Sequence, residues 1–233
     1  MPAEPTLPAE PTLPAQPAVS AQPAVSAGPP AEPPTDSVGV GPHPQPWPDD
    51  PRLDPELLRD GDRRNVVDAY RYWTVDAIVA DLDTRRHPFA VAIENWRHDL
   101  NIGTVVRTAN AFLAREVIVV GNRRWNRRGA MVTDRYQHVS HVPSAVELAV
   151  YAAKAGYEIV AVDNLPGAVP LETFTLPANS LLLFGQEGTG LSPAAREVAG
   201  AVCSIAQFGS TRSINAGVAA GIAMHAWIRQ HAS

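Results

Sequence analysis

Three stretches of the chain bring together residue types suited to chemistry on a polar substrate. Residues 101–107 read NIGTVVR and set Asn101, Gly103 and Arg107 at the head of a segment whose apolar groups recur at helical spacing. An amide and a guanidinium beside a helix start suit a phosphate or a hydroxyl, although a surface arginine is the plain alternative. Residues 181–192 read LLLFGQEGTGLS, an apolar run followed by Gly185, Gly188 and Gly190 and then by Ser192-Pro193 as a helix start. Glycines at this density let a backbone approach a ligand closely, and a tight strand-to-helix turn would use them equally well. Residues 213–222 read SINAGVAAGI, with Asn215 leading a run of small and apolar residues.

A fourth stretch, RRWNRR at 123–128, surrounds Trp125 with Arg123, Arg124, Arg127 and Arg128. Guanidinium groups hold phosphates and an indole stacks on a base, so the patch fits nucleic acid; it fits a solvated loop as well. Other chemistries find no support. The spacing of GQEGTG is not that of a dinucleotide fingerprint, and no GK[ST] follows to make a P-loop. No G-x-S-x-G elbow is present. His138 and His141 lack a carboxylate or cysteine neighbour at ligand spacing, so no metal is expected. A single cysteine, Cys203, rules out an internal disulfide and a cysteine metal cluster.

These residues need a frame to position them. Residues 54–83 read as two helical pieces with Gly61 between them and a start signal at Thr74 and Asp76. Beyond Pro88, the runs FAVAIEN, EVIVVG, YEIVAVDN, SLLLFGQE and AVCSIAQ read as strands. Helices are expected at NIGTVVRTANAFLA, PSAVELAVYAAKAG, SPAAREVAG and SINAGVAAGIAMHAWIRQ. The alternation implies an α/β fold with a parallel sheet covered on both faces. Ligands of such sheets bind beyond the carboxyl ends of the strands, which puts Glu94-Asn95, Gly121, Asp163-Asn164 and Gly185-Gln186-Glu187 on one rim.

The N-terminal part differs in kind. Residues 1–50 hold 15 of the 23 prolines, repeat PAEPTL and QPAVSA, and carry six acids and no base. Such a segment buries too little apolar surface to offset its ordering entropy, so residues 1–50 are expected to form a disordered tail. The net charge of −5 is therefore a property of the tail: residues 51–233 hold 19 basic and 18 acidic side chains, a net +1. The division expected is thus tail 1–50, a helical extension 51–87 and a main domain 88–233. No basic, apolar leader or membrane span stands out, so a cytoplasmic protein without membrane contact is expected.

Taken together and in order, the three stretches resemble the motifs of the SpoU/TrmH family of RNA ribose methyltransferases, in the SPOUT superfamily. NIGTVVRTANAF is similar to the first motif, LLLFGQEGTGLS to the second and CSIAQFGSTRSINAGVAAGI to the third. The resemblance covers about residues 88–230. It implies a SPOUT fold with a C-terminal trefoil knot, a homodimer, and S-adenosylmethionine as cofactor. By position, the cofactor contacts would fall on Val162, Gly185, Gly188, Ile205, Ser213 and Ile214. Arg107 would stand at the target 2′-hydroxyl of a tRNA or rRNA, with Asn101, Glu187 and Asn215 orienting it and the ribose. The sequence departs from the pattern at Ala206-Gln207, at Gly217, and at Leu113, where the first motif usually ends in glycine. A non-catalytic RNA-binding relative is the alternative, yet all four polar positions are present.

Overall fold

The computed structural model describes residues 39–96 and 101–232. The expected disordered tail lies outside the described residues for 1–38, and the described residues from 39 on belong to one compact unit. Within it, seven strands pair in the order β3-β2-β1-β6-β4-β7-β5, every pair parallel. They are β1 (Ala90–Asn95), β2 (Val117–Gly121), β3 (Val139–Val142), β4 (Glu158–Val162), β5 (Val169–Pro170), β6 (Ser180–Phe184) and β7 (Ala201–Ser204).

Parallel strands covered on both sides read as nearly unbroken apolar runs, which is why β1, β2 and β6 stand out in the sequence. Alternate side chains divide between two cores. Val91, Ile93, Val119, Leu182 and Phe184 face helices α3 (Asn101–Ala111) and α6 (Ala216–His231). Ala92, Ile118, Val120, Leu181 and Leu183 face α4 (Ala145–Ala155) and α5 (Pro193–Glu197). Trp227 of α6 is the largest fully buried side chain, its ring 4.5 Å from that of Phe89 and its Nε1 donating to Pro177 O at 3.1 Å. A buried aromatic of this kind contributes about 3–5 kcal/mol, far more than any single polar contact at the strand ends. The apolar packing therefore sets where α3 and α6 sit.

The expected helices and central strands are present, but the edges of the sheet are not legible from the pattern. β3 has only four residues, VSHV, half-exposed and of mixed polarity, and β5 has two exposed ones. Short 3-10 turns at Arg127–Ala130 and Thr133–Arg135 occupy what reads as a loop. Helix α3 runs out through Leu113, whose φ of 51° lies in the left-handed region. That is the conformation for which a glycine is the usual residue.

The boundary expected at residue 50 is corrected by the packing of residues 39–50. Val40 pairs with Asp62 through two backbone hydrogen bonds of 2.9 Å, and His43 N donates to Leu58 O at 2.8 Å. The prolines of this stretch bar regular structure, yet the backbone of Val40, Gly41 and His43 finds partners on the extension. The extension holds α1 (Pro55–Asp60), capped by Asp54, and α2 (Val75–Asp83), capped by Thr74. Arg86 joins it to the main sheet, donating to Gln137 Oε1 at 2.8 Å and to Tyr136 O at 2.7 Å.

Asp62 is the polar centre of the extension. It is fully buried and accepts from Arg64 Nε at 2.9 Å, Arg64 Nη2 at 2.7 Å and Tyr72 N at 3.0 Å. Burial pushes its pKa up, but the Arg64 guanidinium and the backbone N–H groups outweigh it and bring the value down to about 2. The ionised carboxylate thus stabilises the fold above the unfolded value of about 4, and the contribution fades as pH falls from about 4 towards about 2. Asp62→Asn should lower stability by on the order of 2 kcal/mol at neutral pH. Urea denaturation should show that gap narrowing across the same acid window; a gap independent of pH would refute the assignment.

Candidate functional site

The strand ends bring the three motifs to one edge of the sheet. Register aligns Asn95 with Gly121, Ile93 and Val162 with Phe184, and Val162 with Cys203. The loops that follow β4, β6 and β7 then enclose a cavity of about 450 Å³. Val162, Gly185, Gly188, Ile205, Ser213 and Ile214 all line it, so the six positions singled out for a cofactor share one wall.

The loop after β6 is held in a fixed shape. Gln186 O accepts from Gly190 N at 3.1 Å, and Gln186 Nε2 donates to Thr189 Oγ1 at 2.9 Å. A Cβ on Gly185 would overlap the backbone of Gly190 and Leu191, so the turn closes only on glycine. Two carboxylates anchor its far side. Asp163 Oδ2 accepts from Leu191 N at 2.9 Å, and Glu94 Oε2 accepts from Ser192 N at 2.8 Å. Glu94 is fully buried, and its other oxygen accepts from Trp96 Nε1 at 2.9 Å. Asn95, also fully buried, donates through Nδ2 to Asn122 O at 2.7 Å and to Arg124 O at 2.8 Å. The rim residues Glu94, Asn95 and Asp163, which sequence position marks as candidates for ligand contact, are thus engaged in holding loops. Their type is visible in the sequence; that Glu94 and Asn95 turn inward, while Asp163 holds its loop from the cavity wall, is not.

At the mouth of the cavity the polar motif residues meet. Asn101 Nδ2 donates to Glu187 Oε2 at 2.9 Å, and Asn215 Nδ2 donates to Asn101 Oδ1 at 2.8 Å. Asn215 Oδ1 meanwhile accepts from Val218 N at 3.2 Å and caps α6. One amide therefore starts a helix and joins a chain of side chains from three motifs. Asn101 is 7% exposed, whereas Glu187 and Asn215 are exposed. Arg107 lies on the exposed face of α3, six residues beyond Asn101, and is not among the cavity-lining residues.

The arginine cluster is attached to the same helix. A Cβ on Gly103 would come within 2.7 Å of Gly129 Cα and 2.6 Å of Ala130 N, so only glycine lets the Arg127–Ala130 turn lie against α3. Arg123, Arg124, Arg127 and Arg128 are accordingly carried on a loop fixed to both β1 and α3. The sequence shows the arginines and the glycine but not that one seats the other. Trp125, read as part of the cluster, packs half-buried against the core.

Comparison with known proteins agrees with this geometry. Residues 88–225 match the family model described as the SpoU rRNA Methylase family. The chain is 32% identical over 178 residues to an uncharacterized tRNA/rRNA methyltransferase of Mycolicibacterium smegmatis, covering 72% of this chain and 55% of that protein. It thus spans about half the length of that relative. Among solved structures it resembles the SpoU methyltransferase AviRb from Streptomyces viridochromogenes in complex with AdoMet, with a TM-score of 0.56 and 28% identity. That match covers 66% of this chain and 62% of AviRb. The A. aeolicus TrmH/SpoU tRNA modifying enzyme shares the fold at a TM-score of 0.60 and 22% identity, over 68% of this chain and 82% of that one.

Asn101→Ala removes both the donor that Glu187 accepts from and the acceptor that Asn215 donates to. Loss of a partly buried polar link of this type costs about 1–3 kcal/mol. Thermal unfolding should reveal a destabilisation of that order; a variant as stable as the parent would show that the chain of amides is not formed.

Proposed function

This chain belongs to the SpoU rRNA Methylase family, and on that premise we propose that it transfers a methyl group to a ribose 2′-hydroxyl of tRNA or rRNA. The carrying observation is the meeting of Asn101, Glu187 and Asn215 at the mouth of a cavity that holds every expected cofactor position.

The cavity fits S-adenosylmethionine. Its volume of about 450 Å³ lies in the range that takes ligands of cofactor size. Apolar surface from Val162, Ile205 and Ile214 suits the adenosine, and the glycine-closed turn at 185–190 offers backbone groups at short range. When bound, that cofactor supplies a methyl group already activated on a sulfonium. The chain's own task is then alignment and charge. A ribose hydroxyl is a weak acid, and a fixed cation favours its ionised form. Arg107 supplies that cation and acts by electrostatics. Asn101, Glu187 and Asn215 orient the ribose and the end of the arginine. The arginines of 123–128 hold the RNA backbone.

The same reading includes a homodimer and a C-terminal trefoil knot. Ile214, Val218 and Ile222 stand four residues apart at the start and along the outer face of α6, all exposed, and Ile214 also lines the cavity. An apolar stripe so placed suits a second copy of the chain, with the site close to the interface. β7 runs between β4 and β5, and α6 packs on α3.

Two substitutions separate binding from chemistry. Arg107→Ala should abolish methyl transfer to RNA while calorimetry finds cofactor affinity unchanged. Gly185→Val should abolish cofactor binding itself, because the new side chain disrupts the turn. Turnover by the Arg107 variant close to the parent rate would remove that residue from the reaction.

A further inference from the structure

A second cavity, of about 460 Å³, opens at the β3 edge of the sheet and shares no residue with the first. Trp125, Arg123 and Arg127 come to it from the loop after β2, and Val139 and His141 from β3. The indole of Trp125 packs half-buried against the core, so it is a fixed wall. The Arg127 guanidinium lies 5.6 Å from the centre of that indole and 3.3 Å from the Asp134 carboxylate. Asp134 is largely buried while the Arg127 side chain is 74% exposed, so the acid steadies the cation and leaves it facing solvent. Residues 122–135 carry five arginines against this one acid.

The polar groups of the cavity divide by what they already do. Gln137 is engaged at both ends, donating to Ala114 O at 3.1 Å and accepting from Arg86 at 2.8 Å, and serves as wall. His141 contacts Gly121 O through Nε2 at 2.7 Å. A carbonyl only accepts, so Nε2 donates there. The cavity thus combines a flat aromatic wall with two outward cations. This is the composition that binds a nucleotide by stacking and phosphate contact.

Its position ties it to the other site. Asn95 grips the backbone of Asn122 and Arg124, Asn122 Nδ2 donates to Trp96 O at 2.8 Å, and Gly129 lies against Gly103. The cavity therefore keeps a fixed relation to the end of β1 and to α3, which carries Asn101 and Arg107.

We propose that this cavity is a nucleotide pocket that takes one unpaired nucleotide of the substrate RNA. Its base stacks on Trp125 and its phosphate lies between Arg123 and Arg127. The proposal rests on the methyltransferase reading for the identity of the polymer. Captured there, an unpaired nucleotide would set which neighbour reaches Arg107, so the pocket selects single-stranded or bulged RNA.

The test uses the full chain and a fluorescein-labelled single-stranded RNA pentanucleotide, followed by anisotropy. Trp125→Ala and the pair Arg123→Ala/Arg127→Ala should each weaken binding by roughly tenfold or more, and Trp125→Phe should keep most of the affinity. The double variant, which alters only exposed side chains, should also flatten the slope of log affinity against log salt by about 1.4, the equivalent of two phosphate contacts on a single strand. Unchanged affinity and salt slope in the double variant would overturn the proposal. Methyl transfer assayed alongside keeps the two readings apart. A parent protein that binds the oligonucleotide through these residues but methylates no RNA leaves the pocket standing and removes the methyltransferase reading. Methylation with an unchanged KM in both variants does the reverse.

Discussion

The side chain of Asn101 gives to one motif and takes from another. Its amide donates to Glu187 and its carbonyl accepts from Asn215, residues 86 and 114 positions away. For both bonds to form, the starts of α3 and α6 and the loop after β6 must converge to within a few ångströms. Two hydrogen bonds worth about 1 kcal/mol each cannot impose that geometry. It comes from burial: Ile102, Val105 and Ala109 of α3 and Ala220, Met224 and Trp227 of α6 share one core with β1 and β6. The bonds then select orientation within a placement that packing has already made. Small residues are needed where the helices meet, and a Cβ at Gly217 would stand 3.1 Å from Thr104 Cγ2.

Charged groups at the strand ends fall into two kinds. Glu94, which is buried, and Asp163, on the cavity wall, use their oxygens on backbone N–H groups of the loop after β6. Charge-assisted bonds of this type are the stronger ones, and they make the turn rigid before any ligand arrives. Glu187 faces outward on the loop held in that way, and Arg107 faces outward on α3. A reaction that depends on alignment more than on acid–base strength has use for such an arrangement.

Much of this was legible in the sequence because buried parallel strands leave long apolar runs and because the polar motif residues stand at their ends. The strands FAVAIEN and SLLLFGQE, the helix start at Asn215 and the Ser192-Pro193 cap are all local signals. What was not legible depends on contact. VSHV is too short and too mixed to read as an edge strand. Leu113 hides its left-handed backbone by residue type, and only the glycine usual at that motif position points to it. Glu94 and Asn95 read as rim candidates, yet they are buried because the loops they hold close over them. Residues 39–50 read as tail by composition, and contacts such as the pairing of Val40 with Asp62 assign them to the folded unit. The role of Gly103 as the seat of the arginine turn likewise needs two segments side by side.

The central claim is a methyl group delivered to a ribose oxygen. Its most direct measurement incubates tRNA and rRNA with the protein and S-adenosylmethionine bearing a deuterated methyl, digests the RNA to nucleosides and weighs them by mass spectrometry. The account predicts a nucleoside that carries the label and keeps it on the sugar fragment when the glycosidic bond breaks. Label on the base fragment, or no labelled nucleoside in either RNA, would contradict it.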